Sequence, residues 1–190
     1  MNIIKTIIDF VMDILETITF VGAIFIVIYL FIMMPNKVDG VSMEPTFKSN
    51  DYILTSKITY KLRSIERGDI VVFKSPTNPD REYIKRIIGL PGDKILISKG
   101  QVFINDKLIN ENYISAATNL LESGYLKENQ SIIVPQNYVF VMGDNRPRSS
   151  DSRDFGPIPI ESIDGVVFYR YFPPQKTGFI KNPLPKSLRK

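Results

Sequence analysis

Residues 17–36 carry no charged side chain, and the centre of that run, Phe20-Val21-Gly22-Ala23-Ile24-Phe25-Ile26-Val27-Ile28-Tyr29-Leu30-Phe31-Ile32-Met33-Met34, is almost wholly apolar. A helix takes about 20 such residues to cross the hydrocarbon core of a bilayer, so this run predicts a membrane helix. A cleaved signal peptide fits less well, because the stretch exceeds the usual h-region and no A-x-A-like site follows it. Pro35 and Asn36 are expected to stop the helix. Upstream, residues 2–16 place Ile4, Ile8, Val11 and Leu15 on one helical face and Lys5, Asp9, Asp13 and Glu16 on another. That amphipathic segment suits either the membrane interface or an extension of the spanning helix. Lys5 stands alone against three acids there, so the charge pattern leaves the orientation open.

Beyond Pro35 the chain breaks into short apolar or alternating runs at 52–55, 70–73, 83–88, 94–98, 102–104, 132–134, 138–142 and 166–171, separated by Gly, Pro, Asn and Asp. These read as strands. Lys99-Gly100 and Asn105-Asp106-Lys107 look like hairpin turns, so the expected fold class is mostly β, an antiparallel sheet domain with a small inserted β subdomain, preceded by one N-terminal transmembrane helix. The expected division is 1–35 for the amphipathic segment and anchor, 36–94 with 135–175 for the main β domain, 95–134 for an inserted subdomain or loop, and 176–190 for a C-terminal tail. Residues 110–130 are polar and weakly patterned. The basic residues of the tail, Lys186, Arg189 and Lys190, read as a solvated end or as a weak contact with anionic headgroups.

The chain contains no histidine and no cysteine. Disulfides, thiolate nucleophiles, Cys or His zinc sites and Ser-His-Asp triads are therefore excluded, and no metal or cofactor is expected. The absence of cysteine leaves the compartment open. With a net charge of +4 and its basic residues scattered, the chain is not expected to bind nucleic acid.

Three segments carry candidate chemistry. Ser42-Met43-Glu44-Pro45-Thr46 follows the membrane exit and Gly40; by itself it reads as a turn with a local serine hydrogen bond. In Glu82-Tyr83-Ile84-Lys85-Arg86-Ile87-Ile88-Gly89-Leu90-Pro91-Gly92-Asp93, alternation sets Tyr83, Lys85 and Ile87 on one face and Ile84, Arg86 and Ile88 on the other. Each basic residue thus lies among apolar neighbours, either as a buried group or as an edge-strand charge that discourages aggregation. Gly143-Asp144-Asn145-Arg146-Pro147-Arg148-Ser149-Ser150-Asp151-Ser152-Arg153-Asp154-Phe155-Gly156 starts where a strand ends. It reads as a solvated linker or as a hydrogen-bonded support around a site, with Asp151 and Arg153 as a candidate ion pair.

In this order and spacing, the three segments resemble the signature boxes of type I signal peptidases, with Gly68-Asp69-Ile70-Val71-Val72-Phe73 matching a fourth. Boxes and anchor frame residues 17–171, leaving 110–130 and the tail unmatched. The resemblance implies a membrane-anchored serine endopeptidase with Ser42 as nucleophile, Lys85 as general base and Ser149 orienting the lysine amine. It also implies that Asp151 and Arg153 hold the site together, that Arg86 and Asp144 are structural, and that Gly40, Met43 and Tyr83 shape the substrate site. Some relatives have a serine at the position of Gly40 that assists the oxyanion hole; here the backbone N–H of Ser42 would carry more of that task. The implied partners are secretory preproteins and the lipid bilayer, and the implied location is the cell membrane, single-pass, with the catalytic domain outside the cytoplasm.

The residue chemistry agrees with that implication. Without histidine, a serine nucleophile needs another base, and lysine serves only when neutral. At its reference pKa about one lysine in 2,500 is neutral at pH 7, so a useful base requires a shift of roughly 2.4 to 3.4 units, which apolar burial can supply. Two alternatives remain at this stage: a self-cleaving repressor-type Ser-Lys protease, and a catalytically silent membrane-tethered β domain that binds partners.

Overall fold

The computed structural model describes residues 3–190, Leu30 by its backbone alone. Helix α1 (Ile3–Val27) is continuous through the amphipathic and apolar segments and passes into a π-helical turn, Ile28–Ile32. Its 25 residues span about 37 Å, more than the roughly 30 Å of a hydrocarbon core. None of them is buried against the rest of the chain. Residue 2 of the amphipathic segment lies outside the described residues.

The helix ends before the expected stop. Pro35 and Asn36 belong to strand β1 (Met33–Lys37), so a boundary after residue 35 cuts through a strand. Proline is tolerated because β1 is the outermost strand, where a missing N–H breaks no ladder.

The remaining strands are β2 (Tyr52–Ser56), β3 (Ile70–Lys74), β4 (Glu82–Gly89), β5 (Lys94–Ser98), β6 (Gln101–Ile104), β7 (Lys107–Leu108), β8 (Ser131–Ile133), β9 (Tyr138–Met142), β10 (Ile158–Pro159), β11 (Ile163–Phe172) and β12 (Gly178–Phe179). An eight-stranded sheet runs β1-β2-β11-β3-β4-β9-β10, with β12 added to β11, and a four-stranded sheet runs β7-β6-β5-β8. All pairings are antiparallel. The turns Lys99-Gly100 and Asn105-Asp106 have positive φ at both central residues, the geometry that matches strand twist in a two-residue hairpin.

Burial follows position in the sheet. The central strand β3 is buried from Ile70 to Phe73. Its Val71 and Phe73 enter one core cluster with Ile87, Val139 and Val141, whereas Ile70 and Val72 enter another with Met43, Phe47 and Ile53. The large sheet is therefore covered on both faces, which explains a near-continuous apolar run in place of alternation. A third cluster joins the small sheet to the large one through Ile88, Ile95, Ile97, Phe140 and Met142.

One further expectation needs correction. The tail is not a solvated end: β12 pairs with β11, Leu184 is buried in the third cluster, and Arg67 donates its backbone N–H to Arg189 O. Its basic residues are spent partly inside, with Arg189 Nε donating to Leu184 O at 2.9 Å. Residues 110–130 form no strand or helix, yet they are not a free loop, because Leu126 is buried and Tyr113 and Leu120 pack against the same cluster.

Candidate active site

Ser42 lies in the turn that follows β1, and Lys85 lies on β4, which pairs with β3 in the register Val71↔Lys85. The fold brings the two together: Lys85 Nζ is 2.9 Å from Ser42 Oγ. The amine also donates to Ile84 O at 3.1 Å and sits over the Tyr83 ring, 5.0 Å from its centroid. Lys85 is not an aggregation-blocking edge residue; it is 4% exposed. Burial pushes its amine down from 10.5 to about 8, the Asp151 carboxylate and then Asp144 pull it back up, and Arg153 helps lower it. At that value about one lysine in ten is neutral at pH 7, against one in some thousands for a free side chain.

The loop after β9 clips the nucleophile turn in place. Asn145 donates its backbone N–H to Ser42 O at 2.9 Å and its side-chain amide to Val41 O at 3.0 Å. Gly143 passes so close that a Cβ there would fall 2.5 Å from Ser42 O and 2.3 Å from Ser149 Oγ. Only glycine permits this approach.

Asp151 is the hub of that loop. Its fully buried carboxylate accepts from Gly143 N at 2.9 Å, Ser149 Oγ at 2.7 Å, Arg153 Nε at 2.8 Å and Arg153 Nη2 at 2.9 Å. The hydroxyl of Ser149 therefore serves Asp151, while the lysine amine has Ser42 and Ile84 as acceptors. On the opposite face of β4, Arg86 makes a two-pronged pair with Asp144, at 2.8 and 2.6 Å, and donates to Gly68 O at 2.9 Å. Thr46 Oγ1 donates to the same carboxylate, tying the nucleophile turn to the pair.

Beside the dyad lies an open cleft of about 560 Å³, lined by Gly40, Val41, Ser42, Tyr83, Ile84 and Lys85 together with charged groups including Lys37, Arg81, Glu82 and Arg148. Gly40 has a φ of +100°, a conformation that favours glycine. Met43 does not meet the cleft; at 1% exposure it belongs to the core cluster below it. Strand β9 pairs with β4 at Arg86, Ile87 and Gly89, which leaves the Glu82–Lys85 half of β4 beside the cleft. Sequence reasoning assigned no role to Asn145 or Arg146, although both stand in the quoted loop, or to Glu111, Thr118 and Asn119, which have no signal in a weakly patterned segment. Among the described residues no group of acidic side chains has the arrangement of a metal site.

Known proteins resemble this chain over most of its length. A family model described as signal peptidase, peptidase S26, matches residues 11–172. A probable signal peptidase I-2 from Synechocystis sp. is 42% identical over 156 residues, covering 79% of this chain and 68% of the relative. Signal peptidase IB from Staphylococcus aureus is 31% identical over 185 residues, covering 90% and 96%. Among solved structures, a signal peptidase I from Enterococcus faecalis is 35% identical and covers 55% of this chain and 97% of that one, with a TM-score of 0.46. A match across most of the chain, through the segments that build the Ser42 and Lys85 site, places it in the signal peptidase, peptidase S26, family.

Proposed function

We propose that this protein is a membrane-anchored serine endopeptidase that removes N-terminal signal peptides from secretory preproteins, with Ser42 as nucleophile and Lys85 as general base. The observation that carries this reading is the 2.9 Å approach of a buried, pKa-depressed lysine amine to the Ser42 hydroxyl.

In the neutral amine the Nζ lone pair accepts the Ser42 proton as Oγ attacks the scissile carbonyl. The backbone N–H of Ser42 stands at the nucleophile to stabilise the oxyanion. The lysine ammonium then returns its proton to the departing amine, the new N-terminus of the mature protein, and leaves an ester on Ser42. A water deprotonated by Lys85 hydrolyses that ester and frees the signal peptide as a carboxylate.

The substrate lies extended beside the Glu82–Lys85 half of β4, bonded backbone to backbone, with shallow sites that favour small side chains before the cleaved bond. Helix α1 spans the bilayer once and delivers the site to substrates whose h-region already lies in the membrane. The catalytic domain stands outside the cytoplasm, its partners are preproteins and the lipid bilayer, and nucleic acid is not among them. Strands β1 to β4 and β9 to β12, which share the large sheet, form the catalytic domain, and residues 95–134 form its insert.

The test is cleavage of a preprotein by the full-length protein in detergent. Wild type should cut after a small residue, and Ser42→Ala and Lys85→Arg should each lose activity by about 10²- to 10⁴-fold, since a guanidinium keeps charge but cannot act as a base. Near wild-type cleavage by Lys85→Arg would contradict the assignment.

A further inference from the structure

The 110–130 segment meets the active-site loop at several groups: Thr118 Oγ1 accepts from Arg146, Asn119 O and Oδ1 accept from Arg153 Nη1 at 2.7 and 3.1 Å, and Glu111 supplies the carboxylate. Glu111 offers both carboxylate oxygens to Arg146: Nη1 donates to Oε2 at 2.8 Å and Nη2 donates to Oε1. The arginine side chain is fully buried and that of Glu111 is 6% exposed. Arg146 Nη1 also donates to Thr118 Oγ1, and Tyr113 OH donates to Glu111 Oε1 at 2.7 Å while its ring lies 4.4 Å from the Arg86 guanidinium.

Arg146 in turn holds the loop from within. Its Nε donates to Gly143 O at 3.0 Å, and its own carbonyl accepts from Arg153 Nη2 at 2.8 Å. Gly143 N donates to Asp151, and Asn145 N donates to Ser42 O. The residues just before Arg146 thus fix the carboxylate that faces the lysine and the backbone of the nucleophile.

We propose that Glu111 is a positioning residue for the dyad, acting through Arg146 to hold the 143–146 loop against Ser42 and Asp151. This rests on the Ser42–Lys85 reading above. Removing the carboxylate leaves a buried guanidinium unpaired, and the next carboxylate acting on it is Asp144, which Arg86 already engages. The loop then shifts to find another partner. Displacements of about 1 Å at a reacting pair cost on the order of a hundredfold in rate. Moving the loop also alters the charges that face the Lys85 amine, namely Asp151, Arg153 and Asp144.

The experiment compares full-length wild type with Glu111→Gln, Glu111→Asp and Lys85→Arg in detergent. It records kcat, KM and melting temperature from neutral to alkaline pH on a synthetic preprotein. Glu111→Gln should lower kcat by about tenfold to a hundredfold with KM within about twofold, and should displace the alkaline rise of kcat. Glu111→Asp, which keeps the charge, should recover part of both. A folded Glu111→Gln with wild-type kcat and an unmoved pH profile overturns the proposal, even if its melting temperature falls. Should Glu111→Gln not fold, the same two readings on Glu111→Asp decide. Activity in Lys85→Arg would instead sink the dyad reading on which the proposal rests.

Discussion

Lys85 and Arg86 are neighbours on one strand, both buried, both cations in water, and the fold treats them in opposite ways. Arg86 points to the face where Asp144 takes two of its donors and Gly68 O a third, so its charge is neutralised in place. Lys85 points to the face where its nearest acceptors are a hydroxyl and a carbonyl, and where the influential carboxylate, Asp151, is saturated by Arg153, Ser149 and Gly143. Charge is matched at Arg86, and left unmatched at the residue for which we propose the role of base. A lysine with its own carboxylate partner would keep its proton; this one is held near the point of losing it.

The comparison breaks most visibly at Asp144. Replacing it with Ala strands the Arg86 charge in the interior, and stability should fall by about 3–5 kcal/mol, read as a drop in melting temperature together with lost activity. A small loss would mean that Arg86 reaches water.

Removing the other cation should have the opposite sign. With a folded pKa of about 8 against an ordinary 10.5, the Lys85 amine is deprotonated in the folded chain between those values while the unfolded chain still binds the proton. Stability from this group therefore rises from pH 8 to 10.5 and carries a constant penalty of about 3 kcal/mol below pH 8. Lys85→Met should abolish cleavage yet raise stability at pH 7 by about 1–3 kcal/mol, and should flatten the dependence of melting temperature on pH across that window. A destabilised Lys85→Met would show that the charge supports the fold.

The smallest effect belongs at the surface. Lys94 and Asp106 pair at 2.7 Å with side chains 43% and 71% exposed, so Asp106→Asn should change stability by less than about 1 kcal/mol and leave cleavage unchanged. A larger cost would mean that this ion pair pins the β6–β7 turn.

Much of this contrast was legible in the sequence because its signals are local. The two-residue period of β4 separated Lys85 from Arg86, and the missing histidine left lysine as the available base. The uncharged run likewise gave the helix, whose continuity through the amphipathic segment the pattern left open. What escaped depends on contacts across the chain. Strand β1 was hidden because Pro35 reads as a stop, and its position at the sheet edge is a tertiary fact. The tail looked solvated because what fixes it comes from far away in sequence: Arg67 donates its backbone N–H to Arg189 O and its guanidinium to Leu188 O. Residues 110–130 showed no period because they serve as a strap, whose key contact joins Glu111 to Arg146 across 35 positions. Ser149 was expected to face the amine, but two-residue spacing brings it to Asp151 first.

The central claim is that Lys85 is a base held close to neutrality beside Ser42, and the most direct measurement is its own titration. Full-length protein in detergent, with lysines labelled at the ε carbon and Lys85 assigned from its absence in Lys85→Arg, can be followed by NMR as pH is raised. The account predicts one lysine resonance titrating near 8, with kcat rising through the same value. A Lys85 resonance that titrates with the surface lysines, near the ordinary 10.5, would contradict it.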